Sequence, residues 1–330
     1  VHGWLILDKP LGLGSTQAVS AVKRALRTGG YSKAKVGHGG TLDPLATGVL
    51  PIALGEATKL AGRMLDGDKV YDFTIRFGVE TATLDAEGEV VATSDVRPTS
   101  AAVDGVLGRF TGPIAQVPPA YSALKVDGQR AYDLARAGEE VVLPTRDVTV
   151  FSLVPCQTAT QASSPRAWPG VHGAAQPPAQ DERARWMPGQ ARHDGGVEEV
   201  TLTAHVSKGT YIRSLARDIA QALGTVGHVT YLRRVRAGPF GLSAAISLDI
   251  LDEAAKARSL EHHLLPLSAA LDDIPALALT PGQAGALRQG RVLDGIAADD
   301  GQAFAMLDDA PVALVEVLSG TVRVVRGFNL

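Results

Sequence analysis

Twenty consecutive residues, VGHGGTLDPLATGVLPIALG from Val36 to Gly55, do most to limit what this chain can fold into. Glycines at 37, 39, 40, 48 and 55 and prolines at 44 and 51 break both the helical and the alternating period. The stretch therefore reads as a structured loop entering a short apolar strand. Such a loop has no stability of its own and must be held by regular elements on both sides.

Those elements are legible. Gly3–Lys9 is an apolar strand candidate, and Ser15 or Thr16 is placed to cap a helix in which Val19, Val22 and Leu26 recur until Gly29 and Gly30 stop it. A helix fits Glu56 to Leu65. Tyr71, Phe73, Ile75, Phe77 and Val79 then alternate with Asp72, Thr74 and Arg76, as a half-buried strand requires. Ser100 or Thr99 caps a helix carrying Val103, Val106, Leu107 and Phe110. Pro144 to Val154 and Glu199 to Val206 read as strands, and Ile212, Leu215, Ala216, Ile219 and Leu223 form a helical stripe ending at Gly224. From about Ile274, short runs around Phe304, Met306, Val312, Leu314, Val322 and Val324 suggest a separate β meander.

Between the strands ending near 154 and starting at 199, residues 156–198 are rich in Ala, Pro, Gln, Ser and Gly. Few aliphatic side chains offset chain entropy there, so the segment is expected to be an exposed disordered insertion. Trp168 and Trp186 leave a docking role open, with a dispensable solvated loop the preferred reading.

The 330 residues suit about two domains. One cysteine, Cys156, excludes an internal disulfide, no Cys/His cluster has zinc-ligand spacing, and no apolar run is long enough for a membrane span. A cytoplasmic monomer without membrane contact is the expectation. The formal net charge of -3 argues against an indiscriminate nucleic-acid binder. The charge is segregated, however. Residues 1–40 hold Lys9, Lys23, Arg24, Arg27, Lys33 and Lys35 against Asp8, and residues 205–240 hold Lys208, Arg213, Arg217, Arg233, Arg234 and Arg236 against Asp218. Each segment is +5, which permits a basic face for a polyanion.

Within the glycine-rich loop, Asp43 is a carboxylate on irregular backbone flanked by Leu42 and Leu45, and Pro44 biases it toward an extended conformation. By local pattern it is as well suited to an Asx-turn or a helix cap as to chemistry. A phosphate-cradle reading fails, because the P-loop Lys-Ser/Thr ending and the dinucleotide glycine spacing are absent. Pattern alone makes Tyr71 a core tyrosine, Arg213 a solvated helix residue and His38 a loop hydrogen-bonder.

The segment GHGGTLDPLATGVLPIALGEATK, from Gly37 to Lys59, resembles the catalytic segment of the bacterial TruB family of tRNA pseudouridine synthases. GWLILDKPLG resembles that family's opening motif, DKVYDFTIRFG its tyrosine motif and VPPAYSALKVDGQRAYDLARAGE its RNA-gripping thumb. SKGTYIRSLARDIAQALG and HVTYLRRVRAG follow in register, so the likeness covers most of residues 3–240. The loop differs from the commoner family form in lacking threonine after the histidine.

The resemblance implies an α+β fold: a catalytic domain over 1–250, containing the 156–198 insertion, with a mixed, largely antiparallel sheet flanked by helices. It also implies a small β-rich, PUA-like RNA-binding domain over 274–330. It implies isomerisation of uridine to pseudouridine in the T loop of tRNA, at the uridine conventionally numbered 55, with no metal or cofactor. Asp43 would be the essential carboxylate, Tyr71 would stack on the flipped base, and Arg213 would pair with the carboxylate and fix its orientation. Tyr211 and Leu232 would wall the pocket, and His38 would occupy space in the T loop. Asp8 and Lys9 read as structural or RNA-contacting. A catalytically silent tRNA-binding or folding module and a guide-RNA-dependent synthase are the rival readings. The basic segments are expected to meet the RNA, so neutralising Lys23, Arg24, Arg233 or Arg236 should reduce the salt dependence of binding.

Overall fold

The computed structural model describes residues 1–122, 124–126, 128–139, 141–156 and 196–330. The insertion expected at 156–198 thus falls, apart from its ends, outside the described residues.

In chain order the first strands are β1 (Gly3–Lys9), β2 (Val36–His38), β3 (Ala46–Leu54) and β4 (Lys69–Phe77). A ribbon of β5 (Val79–Thr81) and β6 (Val90–Thr93) follows, then β7 (Gly112–Gln116) and a small hairpin of β8 (Lys125–Val126) and β9 (Gln129–Arg130). Next come β10 (Arg146–Pro155), β11 (Glu199–Val206), β12 (Gly227–Ala237), β13 (Phe240–Gly241) and β14 (Leu264–Leu265). The helices among them are α1 (Ser15–Thr28), α2 (Ala61–Asp66), α3 (Ser100–Leu107), α4 (Ala131–Arg136), α5 (Ile212–Ala222) and α6 (Leu248–Lys256).

The large sheet runs β14-β1-β3-β12-β4-β11-β10-β7, with β2 beside β3 and β13 beside β12. Among the described residues its one parallel pair is β3 with β12, and every other pairing is antiparallel. The mixed, largely antiparallel α+β architecture expected from sequence is therefore the observed one. Leu264 and Leu265 pair with β1, so the sheet takes an edge strand from beyond residue 250.

Two apolar clusters cover one face of this sheet. One joins α1 and α6 to Leu5, Leu7, Ala46, Leu50 and Ile52; the other joins α3 and α5 to Phe73, Ile75, Phe77, Leu202 and Val206. The residues across the middle, Ala46, Leu232 and Phe73, are register neighbours on β3, β12 and β4. Tyr71 and Leu232 touch both clusters and are fully inside neither. Full burial of such a side chain stabilises by roughly 1.5–3 kcal/mol, so the cleft at this seam forgoes part of that. The polar side of β4 carries Asp72 and Thr74, bonded to Thr203 and Thr201 of β11 at 2.7 and 2.9 Å.

Several local expectations are adjusted. Helix α1 is capped by Gly14, whose N–H donates to the Gln17 side chain at 2.8 Å, because the Ser15 hydroxyl is needed elsewhere. The helix expected over Glu56–Leu65 is a 3-10 turn (Gly55–Leu60) running into α2. The C-terminal region is β15 (Ala276–Ala278), α7 (Pro281–Arg288), β16 (Gly301–Leu307), β17 (Ala310–Leu318) and β18 (Thr321–Gly327). The last three strands form the expected meander, while β15 adds parallel to β16. The sequence reading missed α7, although Thr280, Pro281 and Gln283 spell its capping box. Phe304 and Leu314 of this sheet, with Phe328 just after it, pack with Trp4, Ile6 and Val49 behind the large sheet. Among the described residues no helix is long and apolar enough to cross a membrane.

Gly48 shows how tightly β3 and β12 are joined. Its φ is +100°, and a Cβ there would lie 2.2 Å from the Arg234 carbonyl oxygen. Gly62 in α2 faces open space. Urea unfolding is expected to show Gly48→Ala less stable by at least about 2 kcal/mol, and Gly62→Ala unchanged or more stable by up to about 1 kcal/mol.

Candidate active site

The loop from Gly39 to Leu45 joins β2 to β3 and carries Asp43 at its tip. Loops normally leave backbone polar groups to water, but here each carbonyl from Gly40 to Pro44 has a protein donor. Arg234 donates from Nη2 to Gly40 at 3.2 Å and from Nη1 to Thr41 at 3.1 Å. The Ser15 hydroxyl donates to the Leu42 carbonyl at 2.9 Å and accepts the Leu42 N–H at 2.8 Å. The Asp43 carbonyl accepts from the Ala46 N–H at 3.0 Å, and the Pro44 carbonyl from the Gly12 N–H at 2.8 Å and Lys9 Nζ at 3.2 Å. The Asp43 side chain, 42% exposed, is thereby presented on a fixed backbone.

Arg213 meets it from α5. Tyr211 is the N-cap of that helix, anchored to Gln116 of β7 by a reciprocal amide pair at 2.8 and 3.1 Å. Arg213, two residues on, is 8% exposed. Its Nη2 lies 2.9 Å from Asp43 Oδ2 and donates to the Tyr121 carbonyl at 3.0 Å. Its Nη1 donates to the Thr83 carbonyl at 2.9 Å and lies 3.4 Å from Asp85 Oδ2. Asp85 is itself buried and accepts from the Thr83 hydroxyl and the Glu87 N–H. A guanidinium held on several sides in this way fixes the geometry of the one exposed carboxylate it faces. Asp85 escaped the sequence reading because its neighbours show only a turn; its proximity arises from a bridge to Val229 of β12.

Asp43, Tyr71, Tyr211, Arg213 and Leu232 all line one cavity of about 220 Å³. The sequence thus named five of its walls. Two buried cations that the sequence reading did not place at the site, Lys69 and Arg234, also line it. Lys69 Nζ donates to the Met64, Leu65 and Gly67 carbonyls at the end of α2. Arg234 also donates from Nε to the Val49 carbonyl at 2.7 Å. The signal for both lay in a strand pattern that put a cation on an inward-facing position.

Other expected contacts fall elsewhere. Lys9 is fully buried and donates to the Pro10, Leu13 and Pro44 carbonyls, at 3.0, 2.6 and 3.2 Å. All three ammonium protons are used, so its part is to hold the loop and not to meet RNA. Burial pulls its pKa down to about 8, against the pull of Asp43 and with help from Arg234. Lys69 is likewise lowered to about 8, by burial first and then by Arg234, and burial raises the Tyr211 phenol. Arg233 is clamped by Asp8 in a two-point pair at 3.0 and 2.8 Å, and Arg236 pairs with Asp68 at 3.2 Å. Neither is the unpaired cation that the charge count took it for. Lys23 and Arg24 are exposed on α1, away from the cavity.

His38 sits on β2 opposite Ile52, half-buried and outside the cavity, with a buried Nδ1 that has no hydrogen-bond partner among the described residues. Burial, then Arg234, lowers its pKa from the ordinary 6.5.

The fold matches solved structures over nearly the whole chain. A crystal structure of a Cbf5-Nop10-Gar1 complex aligns with a TM-score of 0.64 at 24% identity, covering 96% of this chain and 78% of that one. The structure of an H/ACA RNP bound to a substrate RNA containing 2'-deoxyuridine aligns at 0.66 and 22%, covering 99% and 85%. Likeness at this identity defines a shared fold. Residues 24–165 match the N-terminal domain model of the TruB family pseudouridylate synthases, and residues 213–272 match the tRNA pseudouridylate synthase B C-terminal domain. The tRNA pseudouridine synthase B of Novosphingobium aromaticivorans is 61% identical over 330 residues, covering all of this chain and 98% of that protein. The namesake from Zymomonas mobilis subsp. mobilis is 54% identical over 329 residues, covering 100% and 96%. This chain belongs to the TruB family of pseudouridylate synthases.

The lowered His38 pKa has a sign. Below 6.5 the unfolded chain binds a proton that the folded ring resists, so this stabilisation is whole above 6.5 and is lost as pH falls through the folded value. Histidine-ring NMR should find the His38 midpoint below 6.5, and His38→Asn should flatten the fall in stability between about pH 7 and 5.

Proposed function

We propose that the chain isomerises uridine to pseudouridine in the T loop of tRNA, at position 55. The observation that carries this reading is the Asp43 carboxylate, 2.9 Å from a buried Arg213, facing a cavity walled by Tyr71, Tyr211 and Leu232. The name shared by the relatives supports tRNA as the substrate.

The reaction breaks the bond from ribose C1' to N1, turns the uracil in place and joins C5 to C1'. The C5 proton leaves and N1 gains one, so the nucleoside keeps its formula and no electron is exchanged. Neither C1' nor both edges of the base can be reached inside a stacked loop, so the nucleotide is extruded into the cavity. Asp43 acts at the anomeric centre, by attack on C1' or by taking a ribose proton while positive charge develops there. Arg213 keeps the carboxylate aimed, Tyr71 stacks on the extruded base, and Tyr211 and Leu232 exclude water from the turning ring. The same reading makes residues 1–250 a catalytic domain, the sheet at 274–330 a PUA-like RNA-binding module, and the protein a cytoplasmic monomer.

Release of tritium from C5-labelled uridine in a T-arm transcript tests it. The chain should release label at one mapped uridine; Asp43→Asn should abolish release while RNA affinity stays within a few-fold. Retained turnover in that variant would refute the role of Asp43. RNA affinity without any release by the unaltered chain would leave a silent tRNA-binding module.

A further inference from the structure

The cavity of Asp43 holds more positive charge than its carboxylate can match. Lys69, Arg213 and Arg234 line it, and among the described residues Asp43 is the one acid that does. Arg213 takes up that acid at 2.9 Å. Lys69 and Arg234 are 7% and 1% exposed, and their hydrogen bonds among the described residues all go to carbonyl oxygens, of Met64, Leu65 and Gly67 for the first and of Val49, Thr41 and Gly40 for the second. Other cations of residues 205–240 have carboxylate partners: Lys208 has Asp66, Arg217 has Asp218, Arg233 has Asp8 and Arg236 has Asp68. Those of residues 1–40 beyond Lys9 stand exposed. The two acids whose charge acts on Lys69, Asp68 and Asp66, are thereby already engaged, Asp68 by His205 as well.

Carbonyl dipoles hold a cation in place without removing its charge. Burial first, and then Arg234, lower the Lys69 pKa to about 8, so the ammonium keeps its proton at neutral pH. Two like charges sealed behind one cavity oppose folding, and an anion in that cavity offsets the opposition. Lys69 stands two residues before Tyr71, on the same face of β4, and Arg234 is the register partner of Tyr71 on β12. The surplus charge therefore gathers around the residue that stacks on the extruded base. Phosphates of an RNA strand that enters and leaves the site belong at its solvent edge.

Uracil becomes an anion in the reaction proposed above. As the C1'–N1 bond breaks, its electron pair stays on the ring, while C1' is taken by a carboxylate oxygen of Asp43 or the ribose gives up a proton to it. The negative charge spreads over N1, C5 and the two carbonyl oxygens of the ring. C5 then donates an electron pair to C1', displacing the carboxylate or recovering the ribose proton; C5 loses its own proton and N1 gains one. We propose that Lys69 and Arg234 together stabilise the detached uracil anion, so that the ring leaves C1' readily and stays in the cavity while it turns. This rests on the pseudouridine reading above. Fixed charges set where charge develops act most strongly in a site shielded from water. Arg234 also holds the Asp43 loop, so Lys69 is the member to test alone.

The test follows the loss of the target nucleoside in a tRNA transcript carrying either uridine or 5-fluorouridine there, in single turnover at saturating protein and neutral pH. Fluorine withdraws electron density, so the departing ring needs less help from outside. Lys69→Gln removes the charge but keeps two donors for the α2 carbonyls, and Lys69→Arg keeps the charge. Lys69→Gln is expected to slow uridine loss at least about tenfold and 5-fluorouridine loss less than about threefold, with tRNA affinity within a few-fold. Lys69→Arg should keep most of the rate on both. Equal losses on the two nucleosides would mean that Lys69 only supports the α2 turn, and they overturn the proposal; so does a Lys69→Arg chain as slow as Lys69→Gln. An unchanged rate with a slope of log K against log salt smaller by about 1 would make Lys69 a phosphate contact and also overturns it. An unaltered chain that binds tRNA and consumes neither nucleoside sinks the catalytic reading itself, an outcome distinct from turnover with equal losses.

Discussion

Everything at the candidate site depends on the backbone of residues 40–44 being held by donors from outside the loop. Five consecutive carbonyls would otherwise need water or regular structure. They are met instead by a guanidinium from β12, a hydroxyl from the first turn of α1, an ammonium from the end of β1 and two backbone N–H groups. Glycine in the loop and at position 48 lets these donors approach, because a side chain at 48 would strike the β12 backbone. The outcome is a carboxylate whose backbone cannot drift when an RNA loop is pressed against it, which is how a site keeps its geometry through a large substrate rearrangement.

That scaffold is electrostatically costly. Lys9, Lys69 and Arg234 are buried on carbonyl partners and form no carboxylate ion pair among the described residues, and burying charge in this way opposes folding unless hydrogen bonds compensate. The strain registers in neighbouring groups, since Arg234 helps to lower Lys9, His38 and Lys69 alike. Surplus positive charge behind the cavity also favours an anionic substrate strand in front of it. Asp85 pairs with the other terminal nitrogen of Arg213, the cation that pairs with Asp43.

Much of this was legible in the chain. The alternation of Tyr71 to Phe77, the stripe from Ile212 to Ile219 and the capping Thr99 mark elements that the fold contains, because burial on one face imposes a period that local sequence must obey. Asp43, Tyr71, Tyr211, Arg213 and Leu232 could be named through resemblance, and they converge on one cavity. Other features were hidden. Lys9 and Arg233 have the composition of RNA contacts, yet one is sealed in the core and the other is paired with Asp8; whether a cation is free depends on what the fold puts within about 4 Å of it.

The sequence by itself determined the period of the main strands and helices, the irregular loop and the residue types available for chemistry, since these follow from side-chain spacing and backbone preference. Only the tertiary structure decided which of those residues meet. The parallel pairing of β12 with β3 brings Arg234 under the loop, and the start of α5 carries Arg213 to Asp43 across 170 residues of chain. It also divided two basic segments of equal charge into one consumed by internal partners and one left open to solvent. Pairing is a property of distances in space, and no count along the chain contains it.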